Sequence, residues 1–273
     1  MARRSVCTCV GIFPYNSGNP PILTSLHGDA PREQGGAVVL TNLQTNGHAP
    51  QACATCIVRS RAICASLAPD QLEALAKIGR RRSLSPGQTL VWEGEESLLV
   101  ANVIEGVLKL STATGDGREQ IVGIVYPSDF IGRPFGERSH HSVTALTEAK
   151  VCLFTRREFD AFARQHPEVG HELLRRTLRE LDRARTFMLL LGRKTAEEKV
   201  ASLLIDMASR LSDERGHFDL PVGRQQMADL LGLTIETVSR QLTRMKIAGV
   251  IAIDGRRGVS VLDPNALAEA AAI

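Results

Sequence analysis

The stretch from Arg81 to Phe154 constrains this chain most, because it is a series of short apolar runs, each closed by residues that favour turns. The runs are Thr89–Trp92, Leu98–Ile104, Val107–Leu110, Ile121–Val125, Val143–Leu146 and Val151–Phe154. Between them stand Pro86-Gly87, Gly94, Gly106, Thr114-Gly115-Asp116-Gly117, Pro127, Gly132 and Gly136. Runs of that length bounded by Gly and Pro read as strands. Many short strands with regular turns close into an antiparallel barrel or sandwich.

The pattern is helical on either side. Pro69 suits a first helical position, Asp70 and Gln71 follow, and Leu72, Leu75, Ala76 and Ile78 form one apolar face that ends near Gly79. A long helix begins near Pro167. In it Leu174, Thr177, Leu181, Ala184, Met188, Leu191 and Thr195 recur at alternating steps of three and four, beside a charged flank of Arg175, Arg176, Arg179, Glu180, Asp182, Arg183 and Arg185. A narrow seam with a solvated flank is the form of a self-pairing helix, so a parallel homodimer is expected; a single helix packed on its own barrel is the alternative.

Residues Val222 to Ile247 have the spacing of a helix-turn-helix. A first helix, Arg224–Leu231, is followed by Gly232 at a tight turn and by a second helix opening after Thr234, with Ala228 and Val238 where two steeply crossing helices need a small and a branched side chain. Thr234 is the expected cap, and Leu233, Val238, Leu242 and Met245 the inner side. Glu236, Ser239 and Arg240 then share the outer face near the helix N-terminus. Arg240 can donate two bonds to guanine, Glu236 can accept from cytosine, and Ser239 can reach a neighbouring base. Val250–Ile253, Asp254-Gly255-Arg256-Arg257-Gly258 and Val259–Leu262 read as a hairpin wing. Arg244, Lys246, Arg256 and Arg257 are candidates for phosphate contacts, or else ordinary surface charge.

Cysteine spacing supplies the other constellation. Cys53, Cys56 and Cys64 lie within twelve residues, Cys152 lies in the last run of the barrel, and Cys7 and Cys9 sit near the start. Six cysteines in 273 residues are too few for a disulfide scaffold, which points to metal or redox chemistry in a reducing compartment. Four thiolates can hold zinc or an iron–sulfur cluster. Zinc ligands usually come as two close pairs, whereas three clustered ligands and one distant one suit a cluster that ties a segment onto a domain. A strand cysteine such as Cys152 is otherwise a small buried hydrophobe.

Charge and composition exclude more than they identify. Lys plus Arg, 33, less Asp plus Glu, 30, leaves +3, so an anionic partner must be met by a local patch. Gln34 to Val58 is broken by Asn42, Gln44, Asn46, His48 and Pro50, and Met1-Ala-Arg-Arg is followed by no apolar core, so neither a membrane span nor a signal peptide is expected. A cytoplasmic protein of more than one domain is the expectation. Its segments are a poorly ordered extension over 1–48, a cysteine-rich cluster-binding segment over 49–66, a β-roll sensor domain over 67–163, a dimerisation helix over 164–193 and a winged helix-turn-helix over 194–273. No dinucleotide fingerprint, phosphate loop or acid–base pair supports an enzyme. His140-His141, read as strand neighbours, would point to opposite faces and not hold one metal.

Barrel, long helix and winged helix-turn-helix in that order resemble the cyclic-AMP receptor protein and FNR superfamily of bacterial transcription regulators. The fold is then α+β. Leu233-Thr234-Ile235-Glu236-Thr237-Val238-Ser239-Arg240 resembles the recognition helix of the FNR branch, and Met188-Leu-Leu-Leu-Gly-Arg-Lys-Thr-Ala-Glu-Glu-Lys its dimer helix and hinge. The resemblance implies an activator that reads TTGAT-type half-sites in double-stranded DNA through Glu236, Ser239 and Arg240, with RNA polymerase as a partner. The cysteine spacing is similar to that of the alphaproteobacterial FnrL/FnrN regulators, which implies an oxygen-labile 4Fe-4S cluster on Cys53, Cys56, Cys64 and Cys152. Ala184 stands in the seam where a gating charge would oppose pairing, so dimerisation less strictly gated by oxygen is expected. A nucleotide effector is the alternative within the superfamily. Against it, Gly136-Glu137 runs straight into Arg138-Ser139 without the loop that separates such pairs in nucleotide-binding relatives.

Overall fold

The computed structural model describes Cys53, residues 55–117 and residues 119–273; the extension over 1–48, with Cys7 and Cys9, lies outside the described residues. The architecture is α+β, as expected. Eight strands form the barrel: β1 (Arg80–Leu84), β2 (Thr89–Val91), β3 (Leu99–Glu105), β4 (Leu108–Ala113), β5 (Glu119–Val125), β6 (Phe130–Ile131), β7 (Ser142–Ala145) and β8 (Ala149–Thr155). They make two four-stranded sheets, ordered β1-β8-β3-β6 and β2-β7-β4-β5, and every pairing is antiparallel. Leu84, Leu90, Leu99, Ala101, Val103, Leu108, Val143, Val151 and Leu153 fill the space between the sheets.

Strand β3 is buried along both faces up to its last residue, which is why it reads as a continuous apolar run and not as an alternation. Gly106, which follows it, has φ +81°, and a Cβ there would fall 2.2 Å from the Glu148 carbonyl oxygen, so only glycine fits. Two strands escape the sequence pattern. In β1, Arg80, Arg81, Arg82 and Ser83 precede a single fully buried residue, Leu84, and β6 is two residues long. His140 and His141 lie just before β7, not on a strand, which corrects the argument from alternating faces.

Helix α1 (Pro69–Ile78) starts on Pro69, with the Gln71 side chain accepting from the Ala68 N–H at 2.9 Å, and stops at Gly79. A short helix, α2 (Arg156–Gln165), leaves the barrel directly from β8 and is capped by Thr155. Helix α3 (Pro167–Arg193) is the long helix. It ends before Thr195, which caps α4 (Ala196–Leu211) in a capping box with Glu198, so the seam does not continue to Thr195. Leu174, Thr177, Leu181, Ala184 and Met188 are exposed in the single chain, as are Leu178 and Leu189 beside them. Leu191 leaves this row and packs against the C-terminal core. The flank is less solvated than expected: Arg176 is mostly covered and bonds to Glu172 at 2.8 Å, and Glu172 is itself buried.

The C-terminal part adds β9 (His217–Asp219), α5 (Arg224–Leu231), α6 (Ile235–Ile247), β10 (Ile251–Asp254), β11 (Gly258–Val261) and α7 (Pro264–Ala270). The hairpin is β10–β11, and β9 joins it as a third strand on the far side of β11. One core runs from the barrel into this part, containing Ile121, Ile124 and Tyr126 together with Leu204, Met207, Met227 and Leu231. Tyr126 donates its hydroxyl to Asp206 at 3.0 Å, and the Gln120 amide donates to the Asp229 carbonyl at 2.7 Å. Among the described residues no helix is long and apolar enough to cross a membrane.

Candidate functional site

Strand register builds the cysteine site. Arg81 on β1 pairs with Cys152 on β8, Cys152 with Asn102 on β3, and Asn102 with Phe130 on β6, so the four form one row across the first sheet. Directly paired residues point to the same face. Val151 and Leu153, one step either way from Cys152, point into the barrel, and Cys152 therefore points outward.

The segment carrying the other three thiols covers this outer face. Over residues 55–66 it is a string of turns: Arg59 N–H bonds to the Cys56 carbonyl at 3.1 Å, Ala62 N–H to Val58 at 2.8 Å, and a 3₁₀ turn covers Ile63–Ser66. Val58, Ala62 and Ile63 are buried and press it onto the barrel, where Val58 and Ala62 pack with Ile104. Cys53, Cys56, Cys64 and Cys152 all line one cavity of about 30 Å³, together with Asn102, Arg81 and Arg59. Anything larger than a water or two therefore enters only if the segment shifts outward. Among the described residues no three His, Cys, Asp or Glu side chains converge on a point that would hold one metal ion.

The thiols feel one another. Burial and then the charge of Cys56 push the Cys64 thiol up to about 11. Burial first, then the charges of Cys53, Cys64 and Cys56, raise Cys152, and burial with Cys56 raises Cys53. Arg81 opposes the rise at both Cys53 and Cys152. Four soft donors in mutual electrostatic contact are costly to ionise together unless a cationic body sits among them. The donor set thus fits a thiolate-bound metal group.

Ile63 of this segment shares an apolar cluster with Val169 and Leu173 of the long helix, and one arginine adds hydrogen bonds between the two. Arg176 on α3 donates to the Arg61 carbonyl in the cysteine segment, to the Ser128 carbonyl in the loop before β6 at 2.8 Å, and to Glu172 at 2.8 Å. Sequence reasoning missed Arg176 and also Asn102. The signals were there: an i,i+4 Glu–Arg pair at the start of a helix, and one polar residue inside the apolar run of β3.

The second expected site is the helix-turn-helix. Helix α5 ends at Gly232, whose φ of +61° makes the turn, and Thr234 caps α6 by accepting from the Thr237 N–H. Val238, Leu242 and Met245 are buried, leaving Glu236 and Arg240 exposed and Ser239 half-buried on the opposite side. Hydrogen bonds from its own backbone N–H and from the Thr234 hydroxyl hold the Glu236 carboxyl below its usual range, so it sits folded against the helix start. Lys246, Arg256 and Arg257 are exposed, the last two in the turn of the wing. Arg244 is engaged by Glu197 on α4 at 3.4 Å and by Gln241 at 3.3 Å, so it must exchange these partners before it can meet a phosphate.

Comparison with known proteins matches the barrel and the DNA-binding part. A Crp-like helix-turn-helix domain model matches residues 198–270, and a cyclic nucleotide-binding domain model matches residues 81–166. The transcriptional activator protein FnrL of Cereibacter sphaeroides is 46% identical over 80% of this chain and 91% of its own length. The nitrogen fixation regulation protein FixK of Bradyrhizobium diazoefficiens is 40% identical over 81% of this chain and 93% of its own. Among solved structures, FixK2 from Bradyrhizobium japonicum superposes with a TM-score of 0.67 at 31% identity, covering 70% of this chain and 96% of that one.

Proposed function

The chain belongs to the CRP/FNR superfamily of transcription regulators, and on that premise we propose that it is an activator whose DNA binding depends on a 4Fe-4S cluster held by Cys53, Cys56, Cys64 and Cys152. It is a DNA-binding regulator of the FNR/FixK type and not an enzyme. The observation that carries the cluster reading is the meeting of the four thiols on one cavity, three from the covering segment and one from the sheet. Three thiols from a covering segment and one from a strand suit a cluster that ties the segment to the sheet better than a single tetrahedral ion, whose ligands usually come as two close pairs. When bound, the cluster supplies thiolate–iron bonds that molecular oxygen breaks.

The protein's own residues convert that tie into a shape. Cys152 is fixed by the pairing of β8 on both sides, so Cys53, Cys56 and Cys64 are the ligands that move. Seating a cluster among them shifts the segment outward from the sheet, and the Arg61 carbonyl moves with it. Arg176 accompanies that carbonyl, and α3 follows Arg176. The exposed row Leu174, Thr177, Leu181, Ala184 and Met188 is the surface through which two copies pair, with Leu178 and Leu189 completing it. In such a homodimer two α6 helices face successive major grooves one helical turn apart, and Glu236, Ser239 and Arg240 read TTGAT-type half-sites. Ala184 places no charge in the seam, so the cluster-free chain also pairs at micromolar concentration, a state that sedimentation reports directly. Activation adds contact with RNA polymerase. The cluster thereby shifts the population between two arrangements of the long helices.

Protein purified without oxygen is expected to be brown, to contain about four iron and four sulfide per chain, and to bleach in air, whereas Cys64→Ser stays colourless. A colourless anaerobic protein carrying one zinc per chain overturns the reading. A nucleotide effector is the competing reading, favoured by the match of residues 81–166 to a cyclic nucleotide-binding domain. Against it, the barrel interior is filled with aliphatic side chains, and Arg138 donates to the Gly94 carbonyl of its own barrel at 2.8 Å. Calorimetric titration with cyclic AMP separates the two, heat of binding supporting the nucleotide.

A further inference from the structure

We propose that Asn102 donates a hydrogen bond to the sulfur shell of the bound cluster and so sets how readily that cluster is oxidised. The inference rests on the cluster reading above. Asn102 stands in the middle of β3, where its five preceding and following neighbours from Leu99 to Ile104 are buried apolar residues. It is only 2% exposed, and its side-chain oxygen has no hydrogen-bond partner. An amide in such a place destabilises the fold unless something answers it, and an aliphatic residue would pack the strand better. Something other than the metal-free fold therefore accounts for an amide at this position.

Register says where the amide is aimed. Asn102 is the direct partner of Cys152, shares its face of the sheet, and lines the same cavity as all four thiols. The two ends of a carboxamide exchange by a half-turn, so the group can turn its N–H bonds toward the sulfurs. Beside neutral thiols those donors meet no ionised acceptor. Beside thiolates or inorganic sulfide they do, and donation to sulfur withdraws electron density from the iron and raises the reduction potential. Arg81, on the other side of Cys152 in the same row, already acts on Cys152 and Cys53 in the same sense by its charge. The row thus brackets Cys152 with a cation on one strand and an amide donor on the other.

The test compares wild type with Asn102→Leu, which fills the same space without a donor, and Asn102→Ser, which keeps an O–H on a shorter arm. Three quantities are measured: iron and sulfide per chain after anaerobic purification, the midpoint potential with the rate of bleaching in air, and the melting temperature of the metal-free protein. Asn102→Leu is expected to hold as much iron as wild type, to titrate at a more negative potential and to bleach several-fold faster, with Asn102→Ser between the two. Its metal-free form is expected to melt at or above the wild-type temperature. Unchanged potential and bleaching with full iron overturn the proposal and leave Asn102 as a hydrated amide. A lower metal-free melting temperature with unchanged potential also overturns it, by showing that the amide serves the fold. If wild type itself is colourless the cluster reading has failed first, and the proposal falls with it. Should Asn102→Leu not fold, Asn102→Ser alone still decides, since full iron at wild-type potential counts against the donor.

Discussion

The barrel has two outer faces, and they are covered in opposite ways. On the side of β4 and β5 the cover is the DNA-reading part, joined through one continuous apolar core and by the Tyr126–Asp206 and Gln120–Asp229 hydrogen bonds. On the side of β8 and β3 the cover is a run of turns held by Val58, Ala62 and Ile63, over a cavity lined by four thiols and a buried amide oxygen without a partner. The first cover is complete as it stands. On the proposed reading, the second is complete only when a cluster occupies the thiols. Stability is therefore concentrated on one face and responsiveness on the other, which is how a chain keeps its fold while one segment answers a signal.

The largest effects should dissociate the two faces. Cys152→Ala is expected to abolish iron binding, while the metal-free protein melts within a degree or two of wild type, since one small, half-buried apolar side chain replaces another. Leu204→Ala, in the core under the other face, is expected to cost about 2–5 kcal/mol and to leave iron content per folded chain unchanged. Anaerobic iron analysis beside thermal melts of both variants checks this. Loss of iron in Leu204→Ala, or collapse of metal-free Cys152→Ala, breaks the division.

The next effect concerns the reading helix, which rests on the complete face. Arg240→Ala is expected to weaken binding to a TTGAT-type site by about 1–3 kcal/mol, roughly five- to 150-fold, and to relax preference at one base pair. Arg257→Ala should weaken all sequences alike and lower the salt slope by about one. Titrations against a matched site and a single-base variant, at two salt concentrations, distinguish the two kinds of contact.

Between the faces runs Arg176. Replacing it with Leu removes charge-assisted hydrogen bonds worth about 1.5–3 kcal/mol each in favourable settings, though Arg175 and Arg179 still reach Glu172 and reduce the loss. The expected result is a protein that holds its cluster but whose DNA affinity differs less between the loaded and metal-free forms. Full retention of that difference would show that the segment signals to α3 by another route.

How much of this was legible in the sequence follows the same division. The complete face was legible: Gly232, Thr234 and Val238 each stand where a tight turn, a cap and a crossing demand them, and local rules suffice to place them. That the four cysteines meet on one cavity was legible, because three within twelve residues seldom fall together by accident. What was hidden is pairwise and distant. Strand β1 reads Arg-Arg-Arg-Ser-Leu, and its polar residues belong in a sheet only because Arg81 meets Cys152 seventy-one positions later. Arg176 read as solvated flank, since nothing near it in sequence announces the Arg61 and Ser128 carbonyls. Leu191 and Thr195 kept the seam's spacing past the point where α3 turns into the C-terminal core, because periodicity does not show which neighbour a face meets.

The smallest expected effect sharpens the comparison most, because it removes one atom from the complete face. Tyr126 is 1% exposed and donates to Asp206, which also receives Arg210 at 3.2 Å. Tyr126→Phe keeps the ring in its core and leaves Asp206 with Arg210, so the cost should be that of one hydrogen bond, about 0.5–1.5 kcal/mol, or a few degrees in melting temperature. Burial, followed by the Asp206 charge, raises the phenol well above its ordinary value. The folded state therefore keeps its proton where the unfolded chain, near pH 10, begins to lose it. That makes the advantage of Tyr126 constant from about pH 6 to 9 and smaller above about pH 10, as the unfolded state is favoured by ionisation. Melts of wild type and Tyr126→Phe across that range are the check. A difference that grows with pH would mean the hydroxyl is ionised in the fold, and the face would then be answering its surroundings as the cysteine face does.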